Sequence, residues 1–234
     1  QLEGPLVSQP YVRMTRRVMQ AFGVPSRDDS LQRFLIDAPA RYTGCDYAIE
    51  PDASAASYFW AAAAITGGRV TVTGLGPQAL QGDVAFCDCL EQMGCQIERA
   101  DDHMTVVGRP LRGVQVDMNH ISDTVQTLAA VALFADGPTT ITGVAHIRHK
   151  ETDRIGDLAR ELRKLGATVR ERPDGLTIQP GPPRGARIAT YQDHRMAMSL
   201  ALVGLRVSGL VIEDPACTEK TYPGFFADLE SLRR

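Results

Sequence analysis

"YAIEPDASAASYFWAAAAITGGRVTVTGL", residues 47–75, runs from a short β-prone stretch through an Asp into a segment apolar on nearly every side, then through a Gly pair into a strand. A helix with no polar face has to be enclosed. The alternation of apolar and polar residues in "RVTVTG" is instead that of a sheet wet on one face. The same order returns in "VQVDMNHISDTVQTLAAVALFADGPTTITGV" (114–144) and in "ARIATYQDHRMAMSLALVGLRVSGLVIEDP" (186–215). The three aspartates, Asp52, Asp123 and Asp193, lie about 70 residues apart, and a fixed spacing of this kind marks a duplicated supersecondary unit.

Each unit continues into a second helical segment: "GDVAFCDCLEQMG", "DRIGDLARELRKLG" and "PGFFADLESLRR". In the middle one Ile155, Leu158, Leu162 and Leu165 form an apolar stripe, and Arg160, Glu161, Arg163 and Lys164 are expected to face away from it. The expected fold is therefore an inside-out α/β lobe, with the apolar helices buried in the middle and the sheets outside. Ahead of it, "LVSQPYVRMTRRVMQAFGV" reads as a helix starting near Pro10, with Val12, Thr15, Val18, Met19 and Phe22 roughly at helical spacing. Gln1 is not a start residue, so the chain is expected to be the later part of a longer polypeptide.

The bulk numbers narrow the function. With 234 residues and 44% hydrophobic content the chain can bury a sizeable core. Its 25 Lys and Arg against 28 Asp and Glu give no excess of positive charge, which argues against a nucleic-acid or membrane surface. No apolar run has the length of a membrane span and the first ten residues lack the parts of a signal peptide, which points to the cytoplasm. The five cysteines (Cys45, Cys87, Cys89, Cys95, Cys217) are odd in number and contain no CxxC pair, so they are expected as reduced, mostly buried thiols. No metal site or cofactor is expected, because His103, His120 and His149 show no ligand spacing.

Against this mildly acidic background, cations gather at the edges of the repeat helices in "IRHKETDR" (147–154), "DHRMAM" (193–198) and "CTEKTYP" (217–223). Taken alone, "KETDR" is a solvated helix start and each Asp an N-cap. Taken together at equivalent repeat positions, Lys150, Arg154, Arg195 and Lys220 form a cluster suited to phosphates and carboxylates. The positive ends of the enclosed helices would share that side of the lobe. Asp123 and Glu151 are candidate proton carriers beside it.

"VDMNHISD", "HKETDRI", "YQDHRMAMSLAL" and "DPACTEKTYP", in this order and spacing, closely resemble the second half of the EPSP synthases, the 3-phosphoshikimate 1-carboxyvinyltransferases. The likeness spans nearly the whole chain, from "LVSQPY" onward. It implies two lobes, each of three βαβαββ units with helices inside. Residues 1–49 would be the tail of the first lobe and 50–234 most of the second, in repeats of about 50–112, 113–184 and 185–234. It also implies a partner in the N-terminal lobe of the same polypeptide, absent here.

By the same resemblance the substrates are shikimate 3-phosphate and phosphoenolpyruvate, joined through a tetrahedral intermediate with release of phosphate, in aromatic amino acid biosynthesis. Asp123 would accept the proton of the attacking hydroxyl, and Glu151 would protonate the methylene carbon of phosphoenolpyruvate. Shikimate 3-phosphate would be contacted by Ser8, Tyr11, Asp123, Lys150 and His146, the last standing where many members carry Asn. Phosphoenolpyruvate would be held by Arg154, His194, Arg195 and Lys220. Glu151 beside Lys150 and Arg154 should have a lowered pKa, so its acting as a donor needs burial or substrate charge to oppose them. The isolated segment is expected to turn over nothing, and the family's inhibitor glyphosate depends partly on the other lobe. Two rival readings are the related transferase acting on UDP-N-acetylglucosamine, which these motifs fit poorly, and a noncatalytic lobe serving as an interaction module.

Overall fold

The computed structural model describes residues 1–232; Arg233 and Arg234, which end the third expected repeat, lie outside the described residues. The chain opens with helix α1 (Gln9–Ala21), which has Pro10 in its first turn, and the antiparallel hairpin β1 (Arg27–Asp29) and β2 (Arg33–Leu35). Not one residue of α1 is buried, although its apolar side chains lie on one side. An irregular stretch then leads to Asp52.

From there the repeat is visible as helices and sheets. Helix α2 (Ala53–Thr66) is followed by β3 (Arg69–Thr73), α3 (Phe86–Gln92), β4 (Gln96–Arg99) and β5 (His103–Val107). These strands make an antiparallel sheet in the order β3-β5-β4. The next stretch holds β6 (Gln115–Asp117), α4 (Val125–Ala132), β7 (Thr139–Thr142), α5 (Gly156–Lys164), β8 (Thr168–Arg172) and β9 (Gly175–Gln179). Its sheet runs β6-β7-β9-β8, with β6 and β7 parallel and the other pairs antiparallel. The last stretch has β10 (Arg187–Ile188), α6 (His194–Ala201), β11 (Val211–Ile212) and α7 (Phe225–Ser231), and β10 pairs with β11 alone.

The enclosed helices are those with no polar face. All eight residues of α4 are buried, as is every residue of α6 except Arg195. At their common centre the hydroxyls of Ser57, Thr127 and Ser199 meet in a chain, 3.2 Å from the first to the second and 3.2 Å from the second to the third. One small hydroxyl from each helix lets three helices approach closely while satisfying polar atoms cut off from water. Helix α2 ends where Gly67 adopts φ 74°, the left-handed cap that the Gly pair announces. The outer sheets alternate as expected: Val70 and Val72 of β3 turn inward while Arg69, Thr71 and Thr73 are exposed.

Three expectations need correction. Residues 47–50 form no strand, so the first unit begins directly at Asp52. The Glu50 carboxylate instead accepts from the backbone N–H of Leu80 at 2.6 Å and Gln81 at 3.3 Å, and Tyr47 packs on Phe22. "HKETDR" is no helix start: a 3-10 turn (Ala145–His149) ends on its first residue, and α5 begins only at Gly156. Glu161 does not face away from the core; it is fully buried. Its carboxylate takes hydrogen bonds from Lys164, the Tyr191 hydroxyl and the backbone of Ala189, which draw it inward from the polar side of α5.

Candidate active site

The loop carrying "HKETDR" is shaped by one internal ion pair. Arg148 Nη1 donates to both oxygens of Asp153, at 3.0 and 2.8 Å, and its Nη2 donates to the Arg172 carbonyl at 2.8 Å. The Asp153 carboxylate also accepts from the backbone of Ile155 and Gly156, each at 3.1 Å, and so closes the start of α5. With Arg148 and Asp153 committed to the backbone, Lys150, Glu151 and Arg154 are left for another task.

Arg154 is the centre of it. The residue is 1% exposed. Its Nε donates to Asp193 Oδ2 at 2.6 Å and its Nη2 to Asp193 Oδ1 at 3.2 Å. Nη1 donates to Asp123 Oδ1 at 3.2 Å, and Nη2 also reaches Glu151 Oε2 at 2.8 Å. A planar guanidinium with donors in a fixed fork is the side chain that can serve three carboxylates at once. Asp193 is itself fixed, because it caps α6 by accepting from the Arg195 backbone at 2.8 Å.

The remaining cations close around this core. Arg195 Nη2 donates to Asp123 Oδ2 at 3.0 Å, Lys220 Nζ to Glu151 Oε1 at 2.6 Å, and Lys150 Nζ stands 3.8 Å from Asp123 Oδ1. Lys220 comes from the 3-10 turn Pro215–Lys220 of the third unit, Arg195 from the start of α6, and Lys150 and Glu151 from the second unit. Four cations thus face the three carboxylates of Asp123, Glu151 and Asp193 in one network. Burial alone would raise the Glu151 pKa, but the Lys220 hydrogen bond, its own backbone N–H and the charges of Arg154 and Lys220 outweigh it and hold the group at about 2. The expected lowering is present, with Lys220 in the part assigned to Lys150.

The chain's first helix joins the same side. Tyr11 donates its hydroxyl to Asp83 at 3.0 Å, and Ser54 donates to the other Asp83 oxygen. Burial raises the Asp83 pKa, opposed by the Ser54 hydrogen bond, and the Tyr11 hydroxyl is pushed up by burial and by Asp83. Ser8 Oγ lies 3.2 Å from His146 Nε2. The His146 pKa is depressed by burial and then by Lys150, so a neutral ring meets the serine, able to give or take one hydrogen bond.

The family model for EPSP synthase (3-phosphoshikimate 1-carboxyvinyltransferase) matches residues 1–229. The chain belongs to the EPSP synthase family. The 3-phosphoshikimate 1-carboxyvinyltransferase of Nostoc punctiforme is 55% identical over 227 residues, 97% of this chain and 53% of that protein. The enzyme of that name from Methanoculleus marisnigri is 47% identical over 95% of this chain and 53% of its own length. The solved structure of EPSP synthase from Acinetobacter baumannii superposes with a TM-score of 0.82 at 26% identity, covering 93% of this chain and 53% of that one. The inside-out α/β fold is thus the fold of this family, and the chain spans about half the length of the relatives it matches.

In this member of the family the motif residues Asp123, Lys150, Glu151, Arg154, Arg195 and Lys220 all meet in one network, and Ser8 and Tyr11, at the start of α1, border it together with His146. His194 is buried and its Nδ1 has no hydrogen bond; burial and then Arg195 lower its pKa, so it is neutral near pH 7. Arg154, assigned to phosphoenolpyruvate by the resemblance, is fully buried and wrapped in carboxylates. Sequence reasoning missed Asp83, whose only signal is a carboxylate at the start of an otherwise enclosed helical segment. It also missed Tyr58, a buried hydroxyl beside Arg195 whose pKa is pushed up to about 12 by burial, against the pull of that guanidinium. Among the described residues no cluster of His, Cys, Asp and Glu is arranged to hold a metal ion, and no helix is long and apolar enough to cross a membrane.

Proposed function

We propose that the chain is the second half of an enzyme that transfers the carboxyvinyl group of phosphoenolpyruvate to shikimate 3-phosphate. The observation that carries this reading is that one buried guanidinium, Arg154, holds both Asp123 and Glu151. The reaction needs a base for the attacking hydroxyl and an acid for the vinyl methylene, close together and in different protonation states. In the first step the hydroxyl oxygen bonds to C2 of phosphoenolpyruvate, its proton passes to Asp123, and C3 takes a proton from Glu151. In the second, C3 returns a proton to Glu151 and the bond from C2 to the phosphate oxygen breaks; the departing phosphate takes up the proton that Asp123 had accepted, so both carboxylates return to their starting states.

An empty Glu151 with a pKa of about 2 is a poor acid. Phosphoenolpyruvate resolves this, because its phosphate and carboxylate compete for Lys220 and Arg195 and add negative charge beside Glu151, both of which raise its pKa. Lys150 and Arg195 would in turn be drawn toward the substrates, and cations fixed in a site poor in water stabilise the leaving phosphate. Arg154, Arg195 and Lys220, with the neutral His194 beside them, would bind phosphoenolpyruvate, and Ser8, Tyr11, Asp123, His146 and Lys150 would border shikimate 3-phosphate.

In the same reading residues 1–49 are the tail of a first lobe and 50–234 most of a second, working in the cytoplasm, and the rest of the polypeptide completes both. Its third sheet has two strands where the others have three and four, and beside it lies a groove of about 400 Å³ lined by Leu205, Leu210, Ile212, Phe226 and Leu229. Further strands of the longer polypeptide would fill it. The test is phosphate release by this chain supplied with the missing half. It should require both substrates, should not accept a UDP-sugar in place of shikimate 3-phosphate, and should fall about 10²–10⁴-fold in Asp123→Asn and Glu151→Gln. Release that ignores Asp123→Asn would overturn the proposal.

A further inference from the structure

Directly ahead of Asp193, Tyr191 and Gln192 have φ of 55° and 60°, two successive non-glycine residues in the left-handed region. A residue with a Cβ occupies that region at a cost; the tight turn of the β1–β2 hairpin accounts for the other such pair, Ser30 and Leu31, but Tyr191 and Gln192 join no hairpin and need a restraint from their surroundings. Here the restraint can be named. The Tyr191 hydroxyl donates to Glu161 Oε1 at 2.6 Å, while Glu161 Oε2 accepts from the backbone N–H of Ala189 at 3.1 Å and from Lys164 at 2.7 Å. One fully buried carboxylate therefore grips the chain two residues before the strained pair and the side chain of its first member. Arg160 closes the grip from outside, donating to the Tyr191 hydroxyl at 3.1 Å with its guanidinium 5.7 Å from the ring centre.

What the strained turn delivers lies immediately downstream. Asp193 takes two hydrogen bonds from Arg154, and Arg195 reaches Asp123. If the turn relaxed to ordinary backbone angles, Asp193 would leave the guanidinium and Arg195 would start from a different point on α6. Neither of the other units is built this way: Asp52 follows Pro51, and Asp123 sits in a 3-10 turn with no positive φ.

We propose that Glu161 and Tyr191 are positioning residues, which clamp the 191–192 turn in its left-handed conformation and thereby aim Asp193, Arg154 and Arg195. Their role in catalysis rests on the proposed reaction; their role in geometry does not. Glu161 makes no contact with the network itself: its hydrogen bonds go to Lys164, Ala189 and Tyr191, so its burial serves the anchor.

The experiment follows the Nε–Hε proton of Arg154 by nuclear magnetic resonance in the 234-residue chain, where the Asp193 hydrogen bond should make its exchange slow. Tyr191→Phe should speed that exchange about tenfold or more, as expected when a clamp over backbone strain of this size is lost. Glu161→Gln, with one acceptor oxygen for several donors, should give the same change in weaker form, and it decides the matter should the first variant not fold. Adding Gln192→Gly to Tyr191→Phe should restore slow exchange, because glycine occupies the left-handed region without the penalty. A merely structural tyrosine would show no such rescue. Unchanged exchange in both single variants, or loss that Gln192→Gly does not repair, would overturn the inference. In the completed enzyme Tyr191→Phe should raise KM for phosphoenolpyruvate more than it lowers kcat, and equal effects on both would count against it. Should that enzyme not turn over at all, the proposed reaction falls while the exchange measurement still judges the clamp.

Discussion

Arg154 combines two properties that seldom meet in one side chain, full burial and three carboxylate partners. A buried charge is tolerable when its hydrogen bonds are complete, and removing one partner leaves the others exposed to the full desolvation penalty. Arg154→Lys keeps the charge but offers a single nitrogen, which cannot reach Asp123, Glu151 and Asp193 together. Urea unfolding should show it less stable by about 3–5 kcal/mol, the range for breaking a buried pair. A loss under about 1 kcal/mol, the size of an exposed pair, would mean that the network is solvated and loose.

Glu151 responds differently because it is partly open to water. Its folded pKa of about 2 lies below the ordinary 4.5, so its contribution to stability is fully present above about pH 4.5 and is lost as the pH falls toward 2. Melting temperatures taken across that window should fall more steeply for the unaltered chain than for Glu151→Gln, and added salt should shrink the difference. Parallel curves would show that Lys220 does not hold the carboxylate. No single motif made these residues legible; their joint occurrence at equivalent repeat edges, against an acidic background, did. The depth of Arg154 and the inward turn of Glu161 were not legible, since each depends on partners about 30 to 40 residues away, Asp193 for one and Tyr191 for the other.

Among the helices, the enclosed three were readable from their apolar composition alone, since no other environment suits a helix with no polar face. What holds them in register is less visible. Thr127 lies between Ser57 and Ser199, and Ser57 donates its one proton to the Ser54 carbonyl at 2.6 Å, so it keeps a partner without Thr127. Thr127→Val keeps the shape, removes the hydroxyl and strands Ser199 Oγ in the core. The cost should be about 1–3 kcal/mol in denaturant unfolding, the desolvation penalty of one unpaired hydroxyl. Thr127→Ser, which restores the hydroxyl, should recover part of that loss; a neutral Thr127→Val would show that packing alone sets the register. The strand expected over residues 47–50 failed for a related reason. Local β propensity forms a strand only where a partner edge is offered, and here Glu50 turns to the backbone of Leu80 and Gln81 instead.

The distribution of exposed apolar side chains separates the first 49 residues from the rest of the molecule. Leu2, Val7, Leu35, Ile36, Tyr42, Tyr47 and Ile49 are exposed, against only Val211 and Leu232 among the large hydrophobics described after them. Apolar surface gathered in one segment marks a contact that the segment is built to make, and α1 has no buried residue despite its contacts with the later part of the chain. Its polar ties to residues beyond 50, Tyr11 to Asp83 and Ser8 to His146 among the described residues, are too few to hold a helix that has no core of its own. On the proposed reading the missing half covers this surface, so supplying it should slow amide hydrogen exchange over residues 9–35 far more than over α4. The melting temperature should also climb with the concentration of the added half, because a partner that binds only the folded chain stabilises it by mass action. Protection confined to residues 50–232, with the first helix still exchanging freely, would mean that residues 1–49 are not the tail of a first lobe and that the added half docks elsewhere.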